Sequence, residues 1–514
     1  MRRNTGWCLL TLSLIAILAL LHFAGPRVSA ESPKGVMKGA LHFAVAGDWL
    51  DPSITLANQS AYFSLYLFHD SLLKPLPGNL YAPCVAESWT VDPDYKIYDF
   101  KLRKGVKFHN GEELTAEDVV FTFRRYKGTQ SKLILDRTER VEALSPYLVR
   151  FRFKESFSDF LEYLLPQMST ISWIVPKKYI ERVGDAEYKR KPIGCGPYKF
   201  VEFKPGVSVV GEAFEGYWRK TPKVKRLEFL FVEELSTRYA LVKRGEVDFA
   251  MSITDVFFET AKKDPNLRLV KASTSNHWIV YMASQWDPKS PWSDSRVRKA
   301  ASLAIDRKSL RDIHWPLGEV VGTTFLLSDP ETLAFPPDPY DPDKAKKLLA
   351  EAGYPNGVQG GTFYPAGGSF VDMGLQIANY WKAIGINVDN VLFDRAGWMA
   401  RRMSGKMKGA TFNDIVGHPT IGGRLSFLFG PQGYGNYPEV QALWDQHEKS
   451  RDPNIRKDLR TRIQRSIHDK TMYIPLLKSS APVALGPRVK GDVMLMHEPP
   501  AWFPCPMEDF ELNE

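Results

Sequence analysis

Between Ala86 and Tyr126 the chain dictates its local structure more tightly than anywhere else. Tyr98, Phe100 and Leu102 alternate with Asp99 and Lys101, the two-residue period of a strand with one buried face. His109-Asn110-Gly111 then makes a tight turn, and a helix opens after Leu114. Thr115 is its expected N-cap, Asp118 three residues on completes a capping-box pattern, and Val119, Phe123 and Tyr126 share the inward face. These roles are structural, so His109 is expected to satisfy the turn rather than to catalyse. Val149, Phe151 and Phe153 repeat the strand pattern, as do Leu227, Phe229 and Phe231. Tyr198–Phe203 and Val207–Val210 flank Lys204-Pro205-Gly206 as a hairpin.

Helical stripes dominate the later half. Asp341-Pro342 caps a helix carrying Ala345, Leu348, Leu349 and Ala352, stopped by Gly353. Met373, Ile377, Tyr380, Trp381 and Ile384 form a second stripe, and Ile455, Leu459, Ile463 and Ile467 a third. The pattern predicts an α/β protein with mixed sheets, strand-rich before about residue 270. Its 514 residues allow about three or four domains.

The first thirty residues follow a different logic. Met1-Arg2-Arg3 is basic, Leu9–Leu21 is apolar apart from Thr11 and Ser13, and Val28-Ser29-Ala30 ends in small residues. This is the layout of a secretory signal, with cleavage expected after Ala30. An uncleaved anchor is the competing reading, because Trp7–Gly25 approaches the length of a membrane span; the small-residue ending favours cleavage. Export leaves Cys84, Cys195 and Cys505 in an oxidising compartment, as one pair plus a thiol or as three buried side chains. Without Arg2, Arg3 and Arg27 the formal balance of 68 basic against 59 acidic residues narrows to 65 against 59. So dilute a surplus argues against a nucleic-acid partner.

Motifs for chemistry are missing. The chain has no phosphate-binding Gly-rich loop ending in Lys-Ser/Thr, no Gly-x-Ser-x-Gly elbow and no His-Glu-x-x-His. The nearest zinc-like runs, His447-Glu448-Lys449-Ser450-Arg451 and His497-Glu498-Pro499-Pro500-Ala501, lack the second histidine. No catalytic residue, metal ligand or cofactor is therefore assigned. A secreted hydrolase on a similar scaffold is the alternative from a different functional class.

One long ordered series remains: Ala86-Glu87-Ser88-Trp89, Tyr98–Arg103, Val106–Gly111 and Leu114–Phe121. Leu50-Asp51-Pro52, Pro192–Tyr198, Gly245-Glu246-Val247-Asp248, Asp294–Ala300 with Ala304–Arg307, and Ala352–Gly357 extend it along nearly the whole chain. In that order they closely resemble the family 5 solute-binding proteins, the dipeptide-, oligopeptide- and nickel-binding group serving ABC transporters. Cys195 departs from the family's usual Thr in Gly-Thr-Gly-Pro. The resemblance implies a two-lobed periplasmic-binding-protein-like fold of type II with an extra subdomain and a hinge. The lobe I core would be 31–60, 190–272 and 478–514, the subdomain 61–189 and lobe II 273–477. Crossings near Ala272–His277 and Leu477–Pro482 would act as hinges. It further implies a monomer that takes one small solute and then meets a cognate permease and ATPase complex, reached from the periplasm.

The ligand site follows by the same resemblance. Peptide-binding members hold the α-amino group on an Asp of the second lobe, and Asp414 in Thr411-Phe412-Asn413-Asp414 matches it. Gly417-His418-Pro419 stands where Gly-Asp-Pro is usual, one residue later. The loop that carries a carboxylate-binding Arg in dipeptide binders, Phe363–Phe370, has no basic residue. Oligopeptide-style backbone recognition survives that loss. Trp49, Tyr62, Trp398 and Phe412 supply an aromatic platform for a peptide-like solute or, alternatively, an oligosaccharide. Arg395, Arg401 and Arg402 offer positive charge for an anionic ligand. Nickel binding finds no histidine cluster.

Overall fold

The computed structural model describes residues 32–55, 59–76, 79–128, 131–166, 169–366, 370–393, 397–398, 401–402, 404–415, 420–429, 437–491 and 506–513. The export signal, Cys8, Cys505, Arg395 and Gly417-His418-Pro419 lie outside them. Among the described residues no helix is long and apolar enough to cross a membrane.

One mixed sheet of eleven strands organises the chain. Its first half is built from β1 (Lys34–Leu41), β8 (Tyr198–Lys204), β9 (Ser208–Ala213), β10 (Val224–Phe231) and β11 (Phe249–Met251). Its second half holds β13 (Glu319–Val320), β14 (Val358–Pro365), β15 (Ile386–Asn390) and β16 (Ala410–Ile415). Two long strands, β12 (Arg268–Tyr281) and β17 (Tyr473–Leu485), run through both halves as an antiparallel pair, giving the order β15-β14-β16-β12-β17-β11-β1-β10-β9-β8. Their register breaks in the middle. Ser273 pairs with Ser480 and His277 with Lys478, so residues 274–276 stand opposite Ser479 alone. Both crossings expected from sequence meet at this irregularity, and a bulge of this kind bends a ladder.

Alternation places a helix layer on each face. In the first half Met37 and Leu41 face the helix Gln59–Phe68, while Ala40 and Ala250 face the helix Leu235–Lys243. In the second, Trp278, Val280 and Phe412 pack against the helices Ser295–Leu303 and Phe370–Ala383. Ile279, Tyr281 and Ile415 pack on the other face against the helices Ile421–Phe429, Pro438–Lys449 and Pro453–Asp469. Of the third predicted stripe, Leu459, Ile463 and Ile467 are buried but Ile455 is 52% exposed, because the helix starts at Pro453 and its first turn projects past the core.

A third body carries the segment that opened the sequence analysis. β4 (Ala86–Val91), β5 (Ile97–Leu102), β6 (Thr138–Ser145) and β7 (Leu148–Phe153) form an antiparallel sheet in the order β4-β5-β7-β6. Phe160 fits between Tyr98, Phe151 and Phe153, with ring centroids at 5.1, 5.2 and 4.6 Å. A short pair, β2 (Leu73–Leu76) and β3 (Asn79–Pro83), adjoins it. The predicted capping box at Thr115 and Asp118 is present, and Gly111 turns with φ of 89°. His109 does satisfy a turn, bonding the Gly196 carbonyl at 3.0 Å. Cys84 and Cys195 are free and fully buried in this core, and burial pushes both thiols up. They are apolar filling here rather than a disulfide.

Asp118 serves two segments, accepting from the Thr115 N–H at 2.8 Å and the Lys177 N–H at 2.9 Å. Replacing it with Ala orphans both half-buried donors, and urea unfolding followed by circular dichroism should show a loss of ~2 kcal/mol.

Candidate functional site

In open α/β sheets, ligands bind beyond the carboxyl ends of the strands, where neighbouring connections leave in opposite directions. This sheet has two such places. β1 lies parallel to both β10 and β11, and β14 lies parallel to both β15 and β16. The carboxyl ends of β1, β10 and β11 open into 42–49, 232–234 and 252–254; β14, β15 and β16 end at Pro365, Asn390 and Ile415.

A buried arginine fixes the first place. Arg238 donates to the carbonyls of Val232, Glu233, Met251 and Ser252 at 2.7, 2.7, 3.0 and 3.2 Å. It thereby ties the end of β10 to the end of β11 and holds Ser252 at a φ of 54°. Burial first, and then the Arg238 charge, lowers the His42 pKa to about 3, leaving a neutral ring beside the exposed Phe43. Asp51 anchors the next loop through Arg125, whose two nitrogens reach its oxygens at 2.6 and 2.5 Å. Burial opposes ionisation of Asp51, but the Arg125 hydrogen bonds and charge outweigh it and hold the carboxyl below its usual range.

The sequence-predicted residues fall into two groups. Trp49 is half-buried in the turn Gly47–Leu50, eight residues past the end of β1 rather than at it. Its carbonyl accepts from the Thr55 hydroxyl at 2.8 Å. Tyr62 is buried edge-on to Trp173, with centroids 5.8 Å apart. Trp398 is fully buried and donates to Thr411 Oγ1 at 3.2 Å. Phe412 is fully buried against Phe370. As placed, these three support the walls and present no open platform. Asp414 is half-buried near the end of β16, in register with Trp278, on the same strand face as Phe412.

Sequence reasoning missed the aromatic that joins the two places. Trp315 follows the helix Arg307–His314 and lies 4.8 Å from the Trp278 ring, which itself lies 5.0 Å from Phe370. Trp315, His314, Pro316 and Leu317 of the second half face Thr254 and Phe258 of the first across a crevice of about 10 Å³, room for about one water. The Trp315 indole N–H is buried with no acceptor among the described residues. No periodic signal marks Trp315, since it sits on the loop after a helix. Arg401 is one of the three arginines that the sequence offers for an anionic ligand. Its guanidinium stacks over Tyr364 at 5.3 Å and Phe393 at 5.8 Å, and its Nε–H has no acceptor among the described residues. No group of His, Cys, Asp or Glu among the described residues is arranged to hold a metal.

Comparison with known proteins agrees with this geometry. Residues 81–436 match the model of the bacterial extracellular solute-binding proteins, family 5. The chain is similar to heme-binding protein A of Haemophilus influenzae, 29% identical over 80% of this chain and 81% of that one. It is also similar to di/tripeptide-binding protein 2 of Pseudomonas aeruginosa, 26% identical over 89% and 92%. Among solved structures, NikA from Brucella suis in complex with Fe(III)-EDTA superposes with a TM-score of 0.80 at 21% identity, covering 93% of this chain and all of that one.

Arg238→Leu removes the donors of four carbonyls. Denaturant unfolding should show a loss of about 3 kcal/mol or more, and any solute that stabilises the parent chain should no longer raise its melting temperature.

Proposed function

The chain belongs to the bacterial extracellular solute-binding proteins of family 5, a two-lobed substrate-binding component of an ABC transporter, and from that premise we propose that its solute is a peptide or peptide-like molecule. The division into a lobe I core (31–60, 190–272, 478–514), an extra subdomain (61–189) and lobe II (273–477) is part of the same proposal. So are export with cleavage after Ala30 and delivery from the periplasm to a cognate permease. The unpartnered Trp315 N–H carries the reading, because Trp315 lines an interlobe crevice and its N–H lacks the kind of acceptor a peptide carbonyl supplies. The name of di/tripeptide-binding protein 2 supports the same class.

Asp414 receives the peptide's ammonium group, which needs a charged acceptor once water is excluded. The loop Phe363–Phe370 brings no cation, but Arg401 stacks on Tyr364 of that stretch and stands in for it. Its free Nε–H is the donor for a terminal carboxylate. Solute bound between the lobes favours the closed form only through its higher affinity for that form.

A thermal-shift screen tests this directly. A peptide at about 100 times its dissociation constant adds ~2.7 kcal/mol of stability. Stabilisation by oligosaccharides and not by a di- and tripeptide pool would reject the peptide class. For a peptide that binds, Asp414→Ala should weaken the free-amine form by tenfold or more and leave the N-acetylated form unchanged. Arg401→Gln should likewise remove the preference for a free over an amidated carboxyl terminus. Trp315→Phe should weaken both forms about equally, by some fivefold, as the loss of one neutral hydrogen bond implies.

A further inference from the structure

The lobes meet a second time, apart from β12 and β17. The body built on β4–β7 is tied to the first half of the main sheet by Arg125 on Asp51 and by His109 on the Gly196 carbonyl, so it moves with that half. It also touches the helices covering the other half. Arg451 pairs with Asp94 at 2.6 Å, Arg137 with Glu448 at 3.7 Å and Arg456 with Asp159 at 3.1 Å. Ser426 donates to Asp159 at 3.3 Å.

Beside these charge pairs lies one carboxyl that forms no ion pair among the described residues. Glu162, on the short helix Phe160–Tyr163, is 8% exposed and lies over Gly422 and Gly423 in the first turn of the helix Ile421–Phe429. A Cβ on Gly423 would overlap Glu162 Oε2, so the two glycines admit this carboxyl. Thr420 bonds it, while Oε2 has no partner among the described residues. The charges facing it are mostly acidic. Asp159 stands one turn away, and Asp329 occupies the same helix terminus, accepting from the Ile421 N–H at 3.0 Å. The cation whose charge reaches it, Arg460, is committed to Glu331 at 2.6 Å and His447 at 3.1 Å. The Tyr81 hydroxyl faces the same three acids.

We propose that joining the lobes at this seam takes up a proton at Glu162, so that lobe closure depends on pH whether or not solute is present. Burial, followed by the Asp159 charge, raises the Glu162 pKa to about 8 in the joined form. In the parted form the carboxyl meets water and returns to about 4.3. Its contribution to closure is therefore complete below about pH 4.3 and is lost as pH rises to about 8, by up to tenfold in the closed-to-open ratio per pH unit. Asp159, raised chiefly by burial and by Glu448, adds in the same direction, and Arg456 opposes it. His447 does not counteract this, because burial and Arg456 on its own lobe hold it neutral with a pKa of about 3, stacked on Trp444. The proposal rests on the two-lobed fold and on no choice of solute.

Small-angle scattering of the solute-free chain at pH 5.5 and pH 9 tests it. The parent should have the larger radius of gyration at pH 9. Glu162→Gln, which keeps the shape and cannot ionise, should hold the pH 5.5 radius at both values. Gly423→Ala, with its fold checked by circular dichroism, should be expanded already at pH 5.5. A parent radius that is the same at both pH values overturns the proposal, as does a Glu162→Gln protein that expands like the parent. A Gly423→Ala protein as compact as the parent at pH 5.5 also counts against it.

Discussion

Two antiparallel strands hold this protein together. β12 and β17 contribute to both halves of the main sheet, so the ladder between them is both a core element and the link between two bodies. A continuous ladder would weld the halves into one plane. Three residues, 274–276, facing one interrupt it, and each half closes over its own stretch. β11 pairs with Val483–Leu485 on one side of the break, while β16 pairs with His277–Tyr281 on the other. The irregularity is confined to a place where few ladder bonds are made.

From that constraint the position of the site follows. Each half repeats one device, a central strand with parallel neighbours on both sides, and each opens a crevice at its carboxyl end. Where the halves meet, Trp315 of one and Phe258 of the other line a common crevice of about 10 Å³. Buried polar groups then do what loops alone cannot. Arg238 satisfies four carbonyls at once and fixes a wall with a left-handed residue, and Arg125 fixes the loop beyond it. Walls tied together in this way are fixed within their own half of the sheet.

Local periodicity was readable in the sequence. The strand at Tyr98–Leu102, the capping box at Thr115 and Asp118 and the helix beginning at Pro342 all stand where their patterns put them, because each depends on contacts within a few residues. Family resemblance carried the two-lobed architecture, which no local pattern contains. Side-chain roles were harder to read. Tyr62, Trp398 and Phe412 have the composition of a ligand platform, yet an aromatic is equally suited to a core, and only the packing of distant strands decides between the two. Trp315 gave no signal and Arg401 only its charge, since what distinguishes them is an unused N–H. Glu162 was invisible for the same reason: its neighbours, Gly422, Gly423 and Asp329, lie far along the chain.

The two interlobe contacts differ in chemistry, and the difference bears on how closure works. Around Trp315 the lining is largely apolar, so parting it exposes apolar area that solute must cover or water must wet. Along the seam of Asp94, Arg137, Asp159, Glu448, Arg451 and Arg456 the groups are charged. Most of these regain water when they separate, so their pairing adds little net energy. Such a seam sets the register of the closed form without holding it shut, leaving the balance to solute in the crevice. Glu162 is the exception: buried without a cation, it resists closure in its charged state and permits it in its neutral one.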